Sequence, residues 1–286
     1  MSINIRPLDR DAFLDVRRLL ARANDAPYEV SAVADEKCFG EGVAGDPTAL
    51  GAFREGELAG VAVFCGKHLR LIAVDRAHRR RGVGTELLEA VEALMSDAGA
   101  DQANVAAEPG NYFVPGIFEH DCQTQRFFEK RGYERRPEEP LNLAASLAQP
   151  FGENGEGDIR RADAREREPV VRFVAEHFGT AWAFETLRAF DAPEPTVIIA
   201  VPDGVLSGFA AFEANNRGLG TFGPLGVRKE MRGRDLGAKL VVAALNAMRI
   251  LGYAQAIIPW TSAVEFYRRA CGAVVAHRFI RYGKAL

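Results

Sequence analysis

"AVDRAHRRRGVGTELLEAVEALM", residues 73–95, joins the end of an apolar strand to a basic turn with two glycines and then to a long amphipathic run. Leu87, Leu88, Val91, Leu94 and Met95 recur at helical spacing, which predicts a helix over 83–98. The first backbone N–H groups of such a helix have no partner within it, and the helix dipole gathers positive charge there. Gly82 and Gly84 leave this backbone bare, and Arg79, Arg80 and Arg81 add charge that can reach phosphate oxygens. The stretch reads as a cradle for a phosphate-bearing ligand, set against the plainer reading of a solvated turn that glycine relieves of strain.

The pattern returns at residues 226–249, "GVRKEMRGRDLGAKLVVAALNAMR", with Asp235 in place of one glycine. The spacing from strand to turn is the same in both copies, Val74 to Arg79 and Val227 to Arg232. Around the first copy the periodicity predicts a strand at 3–7, a helix at 10–22 and a meander of strands at 48–53, 57–64 and 68–74. A strand at 102–107, a helix at 121–131 and a short strand pair at 133–144 follow. Residues 158–286 run through the same programme, with helices at 165–178, 236–250 and 262–270 and strands at 196–201, 205–213, 219–227 and 253–258, before a closing strand pair. The chain is expected to be two tandem α/β domains, 1–150 and 157–286, each a mixed, mainly antiparallel sheet flanked by helices. The polar, Gly-bearing run "QPFGENGEGD", 149–158, is the expected seam.

Bulk composition narrows the function. The 286 residues are 48% hydrophobic and 26% charged, with a net charge of −3, so neither nucleic acid nor an anionic membrane is an expected partner. No apolar run approaches the ~18–20 residues that span a bilayer. The N-terminal "MSINIRPLDRDAF" lacks an apolar signal core, which points to a cytoplasmic protein. Cys38, Cys65, Cys122 and Cys271 lack CxxC spacing, so neither a metal site nor a disulfide framework is expected, and Cys122 is read as a buried thiol. A Rossmann reading fails because the turn follows an antiparallel meander and lacks the third glycine.

"LIAVDRAHRRRGVGTELLEAV" resembles the acetyl-CoA-binding segment of the GCN5-related N-acetyltransferases, the GNAT superfamily, whose pattern is [Q/R]-x-x-G-x-[G/A] after a strand ending in L-x-V. The second family signature, an N-x-x-A-x-x-L-Y-x-x-x-G-F helix, is similar to "DCQTQRFFEKRGY" at 121–133 and to "WTSAVEFYRRACGA" at 260–273. The resemblance covers nearly the whole chain. It implies that Arg79, Arg80, Arg81, Gly82, Val83, Gly84 and Thr85 bind the pyrophosphate of acetyl-CoA, and that the strand edge at Ile72 and Val74 bonds the pantetheine like an added strand. In the second half Leu225, Val227, Arg232, Arg234 and Gly237 hold the matching places. The implied activity is direct transfer of an acetyl group to an amine of a small molecule or peptide. A helix Tyr would protonate the leaving thiolate, and a carboxylate or water would take the amine proton.

The halves depart from the family in complementary ways. The first keeps its glycines but has Phe128 at the Tyr position and Asp121 at the Asn position. The second has Tyr267 at the Tyr position, but Asp235 would repel a pyrophosphate. The first half is therefore expected to be the better cofactor site, with the second as a weaker catalyst, a substrate platform or a dimerisation element, the last implying a homodimer. An insertion at 107–121, "AEPGNYFVPGIFEHD", is read either as an ordinary surface loop or as an acceptor loop with Glu108 or His120 as base and Tyr112 as an alternative donor. A non-catalytic acyl-CoA sensor is the rival function, favoured by Phe128 and Asp235.

Overall fold

Residues 2–23, 28–152 and 157–286 are described in the structure, a computed structural model; part of the expected seam, 153–156, lies outside them. The first half runs β1 (Asn4–Leu8), α1 (Phe13–Ala23), α2 (Ala34–Phe39), β2 (Thr48–Arg54), β3 (Glu57–Cys65), β4 (His68–Val74), α3 (Val83–Asp97), β5 (Gln102–Val105), β6 (Ile117–Phe118), α4 (Cys122–Glu129), β7 (Glu134–Arg135) and β8 (Leu141–Ser146). The second runs β9 (Ile159–Arg161), α5 (Arg167–Phe178), α6 (Thr180–Ala189), β10 (Val197–Ala200), β11 (Gly208–Phe212), β12 (Phe222–Val227), α7 (Leu236–Ile250), β13 (Gln255–Thr261), α8 (Val264–Cys271), β14 (Val274–Ile280) and β15 (Tyr282–Ala285). Helices α2 and α6 fall in stretches that periodicity left as loops.

Local chemistry explains the elements. Glu55 and Gly56 both take positive φ, 52° and 84°, the pairing a tight β2–β3 hairpin requires. Helix α3 buries Leu87, Leu88, Val91 and Met95 against the sheet, while Leu94, expected inward, is 41% exposed. It crosses β3 at Gly60, where a Cβ would lie 2.8 Å from Val83 Cγ1 and 2.9 Å from Leu87 Cδ1, so the helix seats directly on the strand. Helix α7 repeats this over Gly208, where a Cβ would meet Leu240 Cδ1 at 3.0 Å.

The chain divides into a unit of Met1–Pro140 with Phe279–Leu286 and a unit of Leu141–Arg278. This differs from the expected split at 1–150 and 157–286, because the halves exchange their last strands. In the first unit β1, β2, β3 and β4 are antiparallel, β4 pairs with β5 in parallel, and β15 lies between β5 and β7. In the second, β8 takes the equivalent slot between β13 and β14. Side chains lock β15 in place: Tyr282 Oη donates to Glu129 Oε1 at 2.7 Å and accepts from Arg135 Nε at 3.0 Å, and Lys284 Nζ meets Glu92 Oε2 at 2.6 Å.

A buried polar network fixes the first unit's long loops. Arg70 on β4 pairs one guanidinium edge with both oxygens of Glu108, Nε to Oε2 at 2.5 Å and Nη2 to Oε1 at 2.7 Å, and its Nη1 donates to the Gly40 carbonyl at 2.7 Å. Lys37 Nζ donates to Asn111 Oδ1 at 2.8 Å, and Asn111 Nδ2 donates to the Glu41 carbonyl at 2.9 Å. Residues 36–42 are thereby tied to 108–111. Space is tight: a Cβ on Gly42 would fall 2.0 Å from Glu108 Oε1. Burial also pushes the neighbouring Cys38 and Cys65 thiols up, to about 12 and about 11, which leaves both protonated and unreactive.

Two outcomes follow from this architecture. A fragment of residues 1–150 lacks β15 and leaves the facing edges of β5 and β7 unpaired, so it should lose cooperative thermal unfolding by circular dichroism and bind a hydrophobic dye. A fragment that melts as sharply as the full chain contradicts the exchange. Arg70→Met strands the Glu108 carboxylate in the core and should cost about 3–5 kcal/mol in denaturant unfolding, whereas Arg70→Met with Glu108→Leu should recover most of that loss. Equal losses in the single and double variants would show that the pair is not coupled.

Candidate functional site

The two units share one unusual feature, a pair of parallel strands that part. Strand β4 pairs with β5 only at His68–Asn104 and Leu69–Val105, although its other edge is paired with β3 through Val74. Ala106 and Ala107 follow with φ of 55° and 53°, a left-handed pair that steers the chain away from β4. The outer backbone edge of residues 70–74, including Ile72 and Val74, is left without a strand partner. In the second unit β12 meets β13 through one bridge, Thr221–Ile257, and its edge past Leu225 and Val227 is open in the same way.

Each open edge leads into the basic turn. The N–H groups of residues 80–84 have no protein acceptor among the described residues, and Gly82 N-caps α3 with φ 87°. Arg80 and Arg81 are exposed with no carboxylate partner among the described residues. Arg79, expected to reach phosphate, is instead a brace: its Nε donates to the Val74 carbonyl at 3.2 Å and its Nη2 to the Ala23 carbonyl at 2.7 Å. Arg232 repeats the first contact, Nε to the Val227 carbonyl at 3.3 Å. These long side chains fix the angle at which the strand enters the turn.

The glycines divide their work differently from the sequence reading. Gly82 supplies the left-handed conformation, and Asp235 adopts it too, with φ 57° at the N-cap of α7. Gly84 faces the Phe127 ring, where a Cβ would make ordinary contact at 3.4 Å, and Gly237 faces Phe266 in the same way at 3.4 Å. The N–H groups of residues 233–237 also lack acceptors among the described residues. A cavity of about 430 Å³ lies at this second turn, lined by Phe178, Trp182, Leu225, Val227, Asp235 and Phe266 among others. Arg232 and Gly237 reach it as well, and Arg234 is not in its wall.

The expected proton-transfer residues are not brought together. Glu108 is buried with both oxygens on Arg70. Tyr112 is buried, and His120 is exposed with its ring 5.4 Å from that of Phe118. Tyr267 belongs to the other unit, packed edge-on against Phe222 and Phe266 at ring distances of 6.1 and 4.9 Å. Burial, and to a lesser degree the Cys271 thiol, pushes the Tyr267 phenol well above its ordinary value. Among the described residues its hydroxyl has no hydrogen-bond partner. Phe128 takes the matching place in the first unit, buried against Phe127 and Tyr133. Cys122 is exposed, not buried as expected, because it opens α4 beside the N-cap Asp121, which accepts from Thr124 N at 2.9 Å. Among the described residues no group of three His, Cys, Asp or Glu side chains is placed to hold a metal, and no helix is long and apolar enough to cross a membrane.

Sequence reasoning missed five contributors. Phe127 and Phe266, hidden in helical periodicity, are the rings on which the turns rest. Phe178 and Trp182, stacked at 5.7 Å, wall the second cavity; Phe178 lies over Gly226, where a Cβ would sit 2.7 Å from the ring. Arg131, just beyond α4, donates to Thr85 Oγ1. The steps of three or four residues from Phe178 to Trp182, Ala183 to Leu187 and Leu187 to Phe190 were a readable signal for α6, whereas nothing in the sequence places Arg131 at Thr85.

Comparison with known proteins gives the family of both halves. A family model described as an acetyltransferase (GNAT) domain matches residues 45–135, and one described as the acetyltransferase (GNAT) family matches 160–273. No curated protein matches the sequence. Among solved structures, the GCN5-related glucosamine N-acetyltransferase region of a fungal multi-domain GH3 β-N-acetylglucosaminidase superposes with a TM-score of 0.81 at 17% identity over 99% of this chain, which spans 38% of that protein. A GCN5-related N-acetyltransferase from Sphaerobacter thermophilus gives 0.71 at 22% identity, covering 99% of this chain and 95% of the other. A tandem GNAT protein from the clavulanic acid biosynthesis pathway gives 0.71 at 15%, covering 99% and 98%. At these identities the superpositions speak to fold, and the two family matches, one per half, speak to kinship. The chain belongs to the GNAT superfamily of acetyltransferases, as a tandem of two such domains.

Proposed function

We propose that this protein is an acetyl-CoA-dependent N-acetyltransferase acting on an amine of a small molecule or peptide, in the cytoplasm, with the cofactor held by the first unit. The observation that carries the reading is the continuity of the open β4 edge with five acceptor-free amides at 80–84. The residues present suit the group: Gly82 is exposed with no heavy atom nearer than 3.8 Å to a Cβ placed on it, and Arg80 and Arg81 flank it. Acetyl-CoA supplies an activated thioester. The chain does the rest by alignment: the Ile72 and Val74 backbone holds an extended pantetheine as a strand partner, and the turn amides meet the phosphates.

Proton handling differs between units. In the first, Glu108 is committed to Arg70, so the exposed His120 is the better base for an incoming ammonium. In the second, Tyr267 keeps its proton at any physiological pH because burial disfavours the phenolate, which suits a donor to a departing thiolate. The second turn has the geometry but carries Asp235, whose charge opposes a phosphate at close range.

Calorimetric titration with CoA should find one tight site that Gly82→Glu abolishes. Unchanged binding in that variant would move the cofactor to the second unit. Asp235→Gly should create or tighten a second site; unchanged stoichiometry and affinity would remove the repulsion argument. Release of free thiol from acetyl-CoA with a panel of amines tests turnover, and binding without any release would point to a sensor.

A further inference from the structure

Arg131 is an arginine in the wrong place for stability. Its guanidinium lies 3.9 Å over the Phe127 ring, and its Nη1 donates to the Phe127 carbonyl at 2.7 Å. Nη2 donates to Thr85 Oγ1 in the first turn of α3, and Nε is shielded from solvent without a partner. Among the described residues no carboxylate lies within ion-pair distance of it, and the same holds for Arg80 and Arg81. Helix α3 spans 15 residues, and its N-terminus carries the positive end of the helix dipole, where a cation is disfavoured. Three uncompensated arginines therefore gather around five acceptor-free amides. Glu86, the acid nearest in sequence to these amides, pairs with none of the three arginines.

A guanidinium has five donors, and Arg131 directs two of them to Phe127 and Thr85. Stacking and these two bonds hold the fork still, so little rotamer freedom remains to be lost on binding an anion. The second unit has no such device. Phe266 matches Phe127 in lying on the helix glycine, and in that alignment Ala270 stands where Arg131 does, while Asp235 adds a negative charge at the turn.

We infer that Arg131 is a phosphate ligand of the first unit and that it makes this unit selective for acyl carriers bearing the phosphates of CoA over phosphate-free pantetheine thioesters. This rests on the cofactor reading above. The ligand chemistry is a phosphate oxygen, from either the pyrophosphate or the 3′-phosphate.

The test is titration of the full-length wild type and Arg131→Met with CoA, dephospho-CoA and pantetheine, alongside thermal unfolding of each protein. The variant should bind CoA about ten- to a hundredfold more weakly, with a shallower dependence on salt, and should bind pantetheine unchanged. A loss for both CoA and dephospho-CoA assigns Arg131 to the pyrophosphate; a loss for CoA alone assigns it to the 3′-phosphate. Should Arg131→Met fail to fold, Arg131→Lys keeps the charge without the fork and is expected to weaken CoA severalfold while sparing pantetheine. Wild-type affinity for CoA in the variant, or an equal loss for CoA and pantetheine, overturns the inference. Failure of the wild type to bind CoA overturns the cofactor reading as well, and is visible before any variant is made.

Discussion

Strand β5 holds β4 through two residue pairs before Ala106 and Ala107 turn it away. Left-handed backbone at two successive alanines is costly, on the order of 1 kcal/mol or more each, and the structure around them must hold it. Two features do so. The Arg70–Glu108 pair grips the segment that leaves β5, and Ala106 N still reaches the Leu69 carbonyl at 2.8 Å as the last rung of the ladder. Without the parting, the β4 edge would be closed by its neighbour and would not run open to the turn at 80–84. Glu108, expected as a catalytic base, has both oxygens on Arg70 and holds the segment that parts from β4.

The exchange of last strands bears on the same feature. A strand that leaves one neighbour must be held firmly by the other, and β5 is held by β15, from the far end of the chain, through four backbone pairs. Lys284 ties β15 in turn to Glu92 on α3, the helix that follows the 80–84 turn. Strand β8 serves β13 in the second unit in the same way. The tandem arrangement is therefore built into the sheets themselves. A cut at the polar seam separates each unit from the strand that completes it.

Much of this was legible before any coordinates. The meander, the long helices and the duplication follow from periodicity, because each depends on contacts a few residues apart, and α7 falls on its expected span. The exchange was not legible, since β8 and β15 are equally good strands for either slot and pairing over such separations leaves no local trace. Arg79 and Arg80 look alike in sequence, yet Arg79 spends its guanidinium on two carbonyls while Arg80 points to solvent. Gly82 and Gly84 look like one motif, yet only Gly82 takes the left-handed conformation, while Gly84 sits in the first turn of α3 facing the Phe127 ring. Asp235 can stand where Gly82 does because a short polar side chain tolerates the left-handed conformation that most residues avoid.

Amide hydrogen exchange with and without CoA tests the central claim most directly, because it reads the backbone groups themselves. The account predicts new protection at residues 80–85 and along 70–74, with little change at 233–238. Protection confined to 233–238, or no protection at either turn at saturating CoA, would contradict it.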